Sequence, residues 1–165
     1  MAPVTRVGRE ILVNTATAGN QNNPQITSLS GGGFVVTWQD SSLGVGGATG
    51  DSSGAAIKAQ VFSAGGAPLG NEILVNTATS NDQANPQITA LSNGGFVVTW
   101  NDLSLGVGGA TGDTSNYAVK AQVFTASGAT VGSEILVNTA TNSFQVNPQI
   151  TALSGGGFVV TWDDA

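Results

Sequence analysis

The sequence predicts an all-β chain built from tandem four-stranded antiparallel units, and three observations predict it. The first is a period. Trp38, Trp100 and Trp162 stand 62 residues apart, as do Pro24, Pro86 and Pro148, and Glu10, Glu72 and Glu134. The second is that each period holds four short runs rich in Val, Ile, Thr and aromatic residues, divided by glycine- and asparagine-rich turns. The third is that no stretch sustains the period of about 3.6 that an amphipathic helix needs. Aligning 8–69 with 70–131 leaves 45 of 62 positions identical. The organisation expected is an N-terminal segment 1–7, repeat 1 at 8–69, repeat 2 at 70–131 and a partial repeat 3 at 132–165. Repeats of this length bury apolar faces against their neighbours.

Within one unit the first strand is expected at 24–29, opened by Pro24, whose missing N–H does least harm at a strand end. Ser30-Gly-Gly-Gly33 then turns the chain into a second strand at 34–38. Glycine tolerates the positive φ of a tight hairpin, so these strands are antiparallel neighbours; in the second copy Asn93-Gly94 is a stronger form of the same signal. A long polar, glycine-rich stretch leads to a third strand at 56–62. The fourth lies at 72–76, with its counterparts at 10–14 and 134–138. Counting from 10–14 gives eleven strands, with the last unit holding only its first and second.

Phe34, Val36 and Trp38 share one strand face while Val35 takes the other, and Ile73 and Val75 oppose Leu74. Apolar residues on both faces mean a sheet covered on both sides. A four-stranded meander repeated radially is a β-propeller-like blade, and the alternative is an open stack of β-sheets in a fibre. Two whole units and a part cannot close a ring of about four or more blades. An uncovered second strand at 158–162 is open to a partner strand.

Composition narrows the function. Charged residues are 8% of the chain and the net charge is −6, with only Arg6, Arg9, Lys58 and Lys120 as fixed cations. Neutralising a run of phosphates takes more cations than this, so nucleic acid is not an expected partner. Anionic membrane surfaces are disfavoured for the same reason. The absence of Cys and His removes disulfides, thiolate metal sites and Cys or His nucleophile pairs. No run approaches the roughly 18 apolar residues of a membrane span, and residues 1–9 show no signal peptide. Ten acids are spread without a marked pair, so no enzyme is expected.

Four groups of residues are candidates for a site. The loop 42–51 recurs unchanged at 104–113, and Leu43, Val45, Leu105 and Val107 stand among its glycines as a self-association element. The plain alternative is recent duplication. Asp40 and Asp51, with Asp102 and Asp113, could give two carboxylates to a calcium ion, which needs about six to eight oxygens. Their ordinary use is to accept backbone hydrogen bonds in turns. Trp38, Trp100 and Trp162 would be stacking platforms for a glycan, yet they share strand faces with Phe and Val, which favours the core. Lys58 and Lys120 lie mid-strand and call for an acidic partner or a path to solvent. Gln21, Gln83 and Gln145, three residues before each proline, are placed to satisfy loop backbone.

The strings Glu-Ile-Leu-Val-Asn-Thr, Pro-Gln-Ile-Thr, Gly-Gly-Phe-Val-Val-Thr-Trp and Lys-Ala-Gln-Val-Phe, spread over nearly all of 8–165, resemble a known repeat type. It is that of very large secreted bacterial proteins known as RTX-associated or hemolysin-type calcium-binding adhesins. The resemblance implies an extracellular or cell-surface location and a structural or adhesive role. In that family the loop after the Trp is usually shorter and richer in Asp; here it is longer and poorer in acids. The nonapeptide calcium repeat is not matched either, since Gly46-Gly-Ala-Thr-Gly-Asp51 has the wrong spacing. The expected function is thus a self-associating repeat module, with Ca2+ the one cofactor left open. The alternative is a glycan-binding propeller assembled by oligomerisation.

Overall fold

The computed structural model describes residues 8–165; the N-terminal segment 1–7, with Arg6, lies outside the described residues. Ten strands form three antiparallel sheets, with no helix among the described residues. The first sheet is β1 (Gln21–Ser28), β2 (Phe34–Asp40), β3 (Ala56–Phe62) and β4 (Pro68–Leu74) in simple meander order. The second repeats it as β5 (Gln83–Ala90), β6 (Phe96–Asp102), β7 (Ala118–Phe124) and β8 (Thr130–Leu136). The third holds only β9 (Gln145–Ala152) and β10 (Phe158–Asp164).

The sheets lie side by side as open blades. Strand β5 packs against β1, β2 and β3, and β9 against β5, β6 and β7, with closeness falling from first strand to third. The first strands therefore gather along one line, where Asn23 donates through Nδ2 to Asn85 Oδ1 at 3.1 Å. The fanning is that of propeller blades. The main core fills the wedge between the first two sheets: Val35, Ile57, Ala59, Val61 and Val75 meet Phe96, Val98, Trp100 and Phe124. Both faces of a sheet are used, because Val36, Trp38 and Phe62 form a second cluster on the outer face of the first sheet. Val13, from the segment before β1, packs on that cluster.

Several expected boundaries move. Strand β1 starts at Gln21 rather than Pro24, because a bulge lets pairing with β2 continue past Asn23 (φ 50°). Strand β4 is Pro68–Leu74 rather than 72–76. Its backbone leaves the ladder at the end, where Asn76 Oδ1 accepts from the Ile57 N–H at 2.8 Å. The expected strand at 10–14 is absent, and the count is ten, not eleven. A fourth strand pairs with the third strand of its own unit, and none precedes Glu10 among the described residues. The sheets are also out of phase with the sequence repeat, since β4 crosses the boundary between 69 and 70.

Candidate functional site

The most elaborate chemistry in each complete sheet surrounds its buried lysine. Antiparallel register sets Lys58 on β3 opposite Trp38 on β2 and Leu74 on β4. That brings two carboxylates to it from either side: Lys58 Nζ lies 3.2 Å from Asp40 Oδ1 and 3.4 Å from Glu72 Oε1. The copy in the second sheet repeats this, with Lys120 3.1 Å from Asp102 and 3.3 Å from Glu134. All six side chains are shut from solvent, so removing any partner strands a charge in the interior. Of the two outcomes expected for the lysines, an acidic partner is the one realised.

Each triad also holds the chain segment that leads into its own sheet. Glu72 Oε2 accepts from the Thr15 N–H at 3.1 Å and the Thr15 hydroxyl at 2.8 Å. Its other oxygen takes the Ala48 N–H of the long loop at 3.0 Å. Glu134 does the same for Thr77, at 2.9 and 2.7 Å, and for Ala110 at 2.8 Å. Because residues 75–82 connect the first sheet to the second, this clamp is a junction between blades. Glycine is required here. Gly47 and Gly109 sit at φ 59° and 58°, and an added Cβ would lie 2.0 and 2.1 Å from the Glu72 and Glu134 carboxylates.

The long loops thus dock, but through backbone. Gly46 rests on Ala16 and Gly108 on Ala78, leaving those alanines 1% and 0% exposed. Leu43, Val45, Leu105 and Val107, expected as the contact residues, point outward and stay exposed. Leu43 and Leu105 hold positive φ angles of 53° and 55°, which turn the chain back toward the clamp.

The aspartates expected to share a calcium ion are drawn to separate partners. Asp40 and Asp102 face the lysines and accept from the Ser42 and Ser104 backbone N–H groups at 2.9 Å, and from the same serines' hydroxyls. Asp51 Oδ2 accepts from Asn76 Nδ2 at 2.8 Å and Asp113 Oδ2 from Asn138 Nδ2 at 2.7 Å. Among the described residues no three or more Asp, Glu, His or Cys side chains come together in a group that could hold a metal ion. Burial acts to raise the Asp40 carboxyl, but the Ser42 hydrogen bonds and the Lys58 charge outweigh it and leave it below the ordinary range. For Asp51 burial wins over its bonds to Ser53 and Asn76, and the carboxyl is raised.

Trp38 and Trp100 are buried at 3% and 0% exposure, unavailable as platforms, while Trp162 is half-buried. Their place is the core. Gln21, Gln83 and Gln145 donate to the carbonyls of Ala18, Ser80 and Asn142 at 2.7, 3.0 and 3.0 Å, closing the loop before each first strand.

Sequence reasoning missed two features. One is a cleft of mixed polar and apolar lining beside each triad, bounded by Thr15, Gly47, Gln60, Pro68, Glu72 and Leu74 in the first unit, at about 530 Å³. Its counterpart beside Thr77, Gly109, Gln122, Gly132 and Glu134 is about 380 Å³. The other is a cleft of about 230 Å³ where Asn23, Asn85 and Asn147 meet with their neighbouring Gln and Pro residues. The joint recurrence of Asp, Lys and Glu at one interval was the signal for the triads. Comparison of the chain with protein-family models, with curated proteins and with solved structures finds no match in any of the three.

Proposed function

We propose that the chain is a structural or adhesive repeat module that self-associates through its blade faces and open strand edges, in a bacterial extracellular or cell-surface setting. The observation that carries the reading is that the sheets pack on one another through apolar residues, β5 on β1, β2 and β3 and β9 on β5, β6 and β7, while apolar residues stay exposed on the last sheet. Phe96–Asp102 lies inside a four-stranded sheet, while Phe158–Asp164, nearly the same sequence, forms the margin of a two-stranded one. Apolar Val159 is 43% exposed there, against 0% for its counterpart Val97. The resemblance of the strings to secreted adhesin repeats supports the setting, as does a surface poor in charge. Sedimentation of the purified chain over a wide concentration range tests this. Growth of dimers or longer species is expected, and a compact monomer at the highest concentration would sink the proposal.

The second reading is a glycan-binding protein, and the paired clefts favour it. They recur on both units, are lined by the long loops, and present exposed Thr and Asn or Ser side chains suited to hydroxyl groups. In this reading the clefts, not the tryptophans, hold the sugar. A glycan array with the chain and its Asn71→Ala/Ser133→Ala variant separates the two readings: binding that disappears in a variant melting normally favours the lectin.

A further inference from the structure

We propose that each buried triad is a site of self-modification, at which the lysine condenses with the aspartate into a cross-strand amide: Lys58 with Asp40, and Lys120 with Asp102. The glutamate of each triad moves the proton. The chemistry lies wholly inside each four-stranded sheet and is independent of self-association.

Register places the reacting side chains. Trp38 faces Lys58 across β2 and β3, so Asp40, two residues further along β2, lies on the lysine's own sheet face and diagonal to it. Nζ and Oδ1 are 3.2 Å apart, and 3.1 Å apart in the second copy. An ion pair at a surface turns freely and shares its charges with water. These side chains are no more than 2% exposed, locked between strands and closed to solvent. Groups held in one orientation react as if present at about 10⁵ M or more, which favours condensation over the hydrolysis that wins between free partners.

The two carboxylates of a triad differ in which can lose an oxygen. Glu72 uses both of its own, Oε2 on the Thr15 N–H and hydroxyl and Oε1 on the Ala48 N–H. Asp40 uses one. Its Oδ1 accepts from the Ser42 N–H and hydroxyl, while Oδ2 is buried with no hydrogen-bond partner among the described residues. Asp102 repeats this with Ser104. The aspartate is therefore the acyl donor, and the serine's two donors hold the oxygen on which charge gathers when the carbon is attacked.

An ammonium and a carboxylate contain the atoms of one amide and one water, so no oxidant, cofactor or co-reactant enters. Lys58 Nζ passes a proton to Glu72 Oε1, 3.4 Å away, and attacks Asp40 Cγ as the free amine, forming the C–N bond. The bond from Cγ to Oδ2 then breaks. Oδ2 leaves as water with two protons, one from the attacking nitrogen and one returned through Glu72. The product removes a buried cation, a buried anion and the unpartnered oxygen together. Glu72 keeps its three donors and gains the amide N–H, and Ser42 continues to donate to the amide carbonyl. Because Ser42 favours the ionised aspartate, the newly folded chain starts from the ion pair and condensation is slow.

The test is the intact mass of the full chain, followed from refolding through days of incubation below its melting temperature. A loss of one water per triad, two in all, is expected, and peptide mapping should find Asp40 joined to Lys58 and Asp102 to Lys120. Glu72→Gln with Glu134→Gln should slow the loss about a hundredfold, since an amide cannot take the proton. Lys58→Arg with Lys120→Arg keeps a cation at each triad without a condensing amine, so its mass should stay at that of its sequence. Water loss that persists in the arginine variant comes from another reaction, such as ring closure at an aspartate, and overturns the cross-link. A parent chain that circular dichroism shows to be folded, and whose mass never departs from that of its sequence, overturns it as well. A rate unchanged by the glutamine pair would remove Glu72 and Glu134 from the proton transfer.

Discussion

The second and third sheets run nearly the same sequence to different ends. Trp100 is wholly buried and Trp162 half-buried; Thr99 caps a lysine carbonyl and Thr161 faces solvent; Asp102 holds a cation and Asp164 does not. Strand sequence is constant across the pair, so the difference comes from what lies beside and in front of each strand. In a repeat protein burial is a property of neighbours. The third sheet shows what one unit is worth when its third and fourth strands are not there.

Substitutions at matched positions should separate these contributions. The largest contrast is expected at the tryptophans. Trp100→Ala should cost about 3–5 kcal/mol in urea unfolding, and Trp162→Ala under about 2 kcal/mol, because a half-exposed ring has less contact to lose. Equal costs would mean that the third sheet is packed as tightly as the second. Next comes the triad. Lys120→Met leaves Asp102 and Glu134 buried without a cation and should cost about 3 kcal/mol. Asp102 Oδ2 is already buried without a hydrogen-bond partner among the described residues, which gives the charge no second place to go.

The blade junction offers a smaller contrast. Ala78→Val must push a branched side chain against Gly108 and should cost about 1–3 kcal/mol, while Ala140→Val, at the exposed equivalent position, should fall within about 0.5 kcal/mol of wild type. If both are neutral, the loop yields and the junction is soft. The smallest effect is expected from pH. The Asp40 carboxyl is lowered by folding, so its contribution is present above an ordinary aspartate's 3.8 and is lost as pH falls through the folded-state value. The Asp51 carboxyl is raised, so it acts oppositely, favouring the folded state below 3.8 and losing that as pH rises through its folded value. Thermal melts between neutral pH and strong acid should therefore carry two opposed contributions on the acid side, a loss from Asp40 and a gain from Asp51. Asp40→Asn should remove the loss and leave the Asp51 gain, so its melting point should fall less, or rise more, than the parent's on acidification.

Strand interiors were legible in the sequence because alternation and turn glycines act locally. The third strand lies where expected, Ala56–Phe62, and the second runs two residues further, to Asp40. What was not legible depended on partners distant along the chain. Residues 10–14 repeat the residues of a fourth strand, but pairing needs a third strand to lie beside. The lysine's need for an acid could be stated, but choosing Asp40 and Glu72 required the register across three strands. The loop was expected to be a contact element for a neighbouring unit or chain, with Leu43 and Val45 among close-approaching glycines; how it rests within its own unit was not legible. It docks through Gly46 and Gly47, since only a residue without Cβ fits against Ala16 and the Glu72 carboxylate.

The clamp between Thr77 and Glu134 joins residues 57 apart and pins the connection leaving one blade to the far strand of the next. Pulled from its two ends, the molecule can unravel the first blade, but the connector cannot peel from the second while that pin holds. Force would have to rupture the clamp before the connector pays out, so extension should proceed in discrete steps. Each step would release one repeat of 62 residues, roughly 210 Å of contour length. An array of such units would stretch like a ratchet, dissipating load one blade at a time.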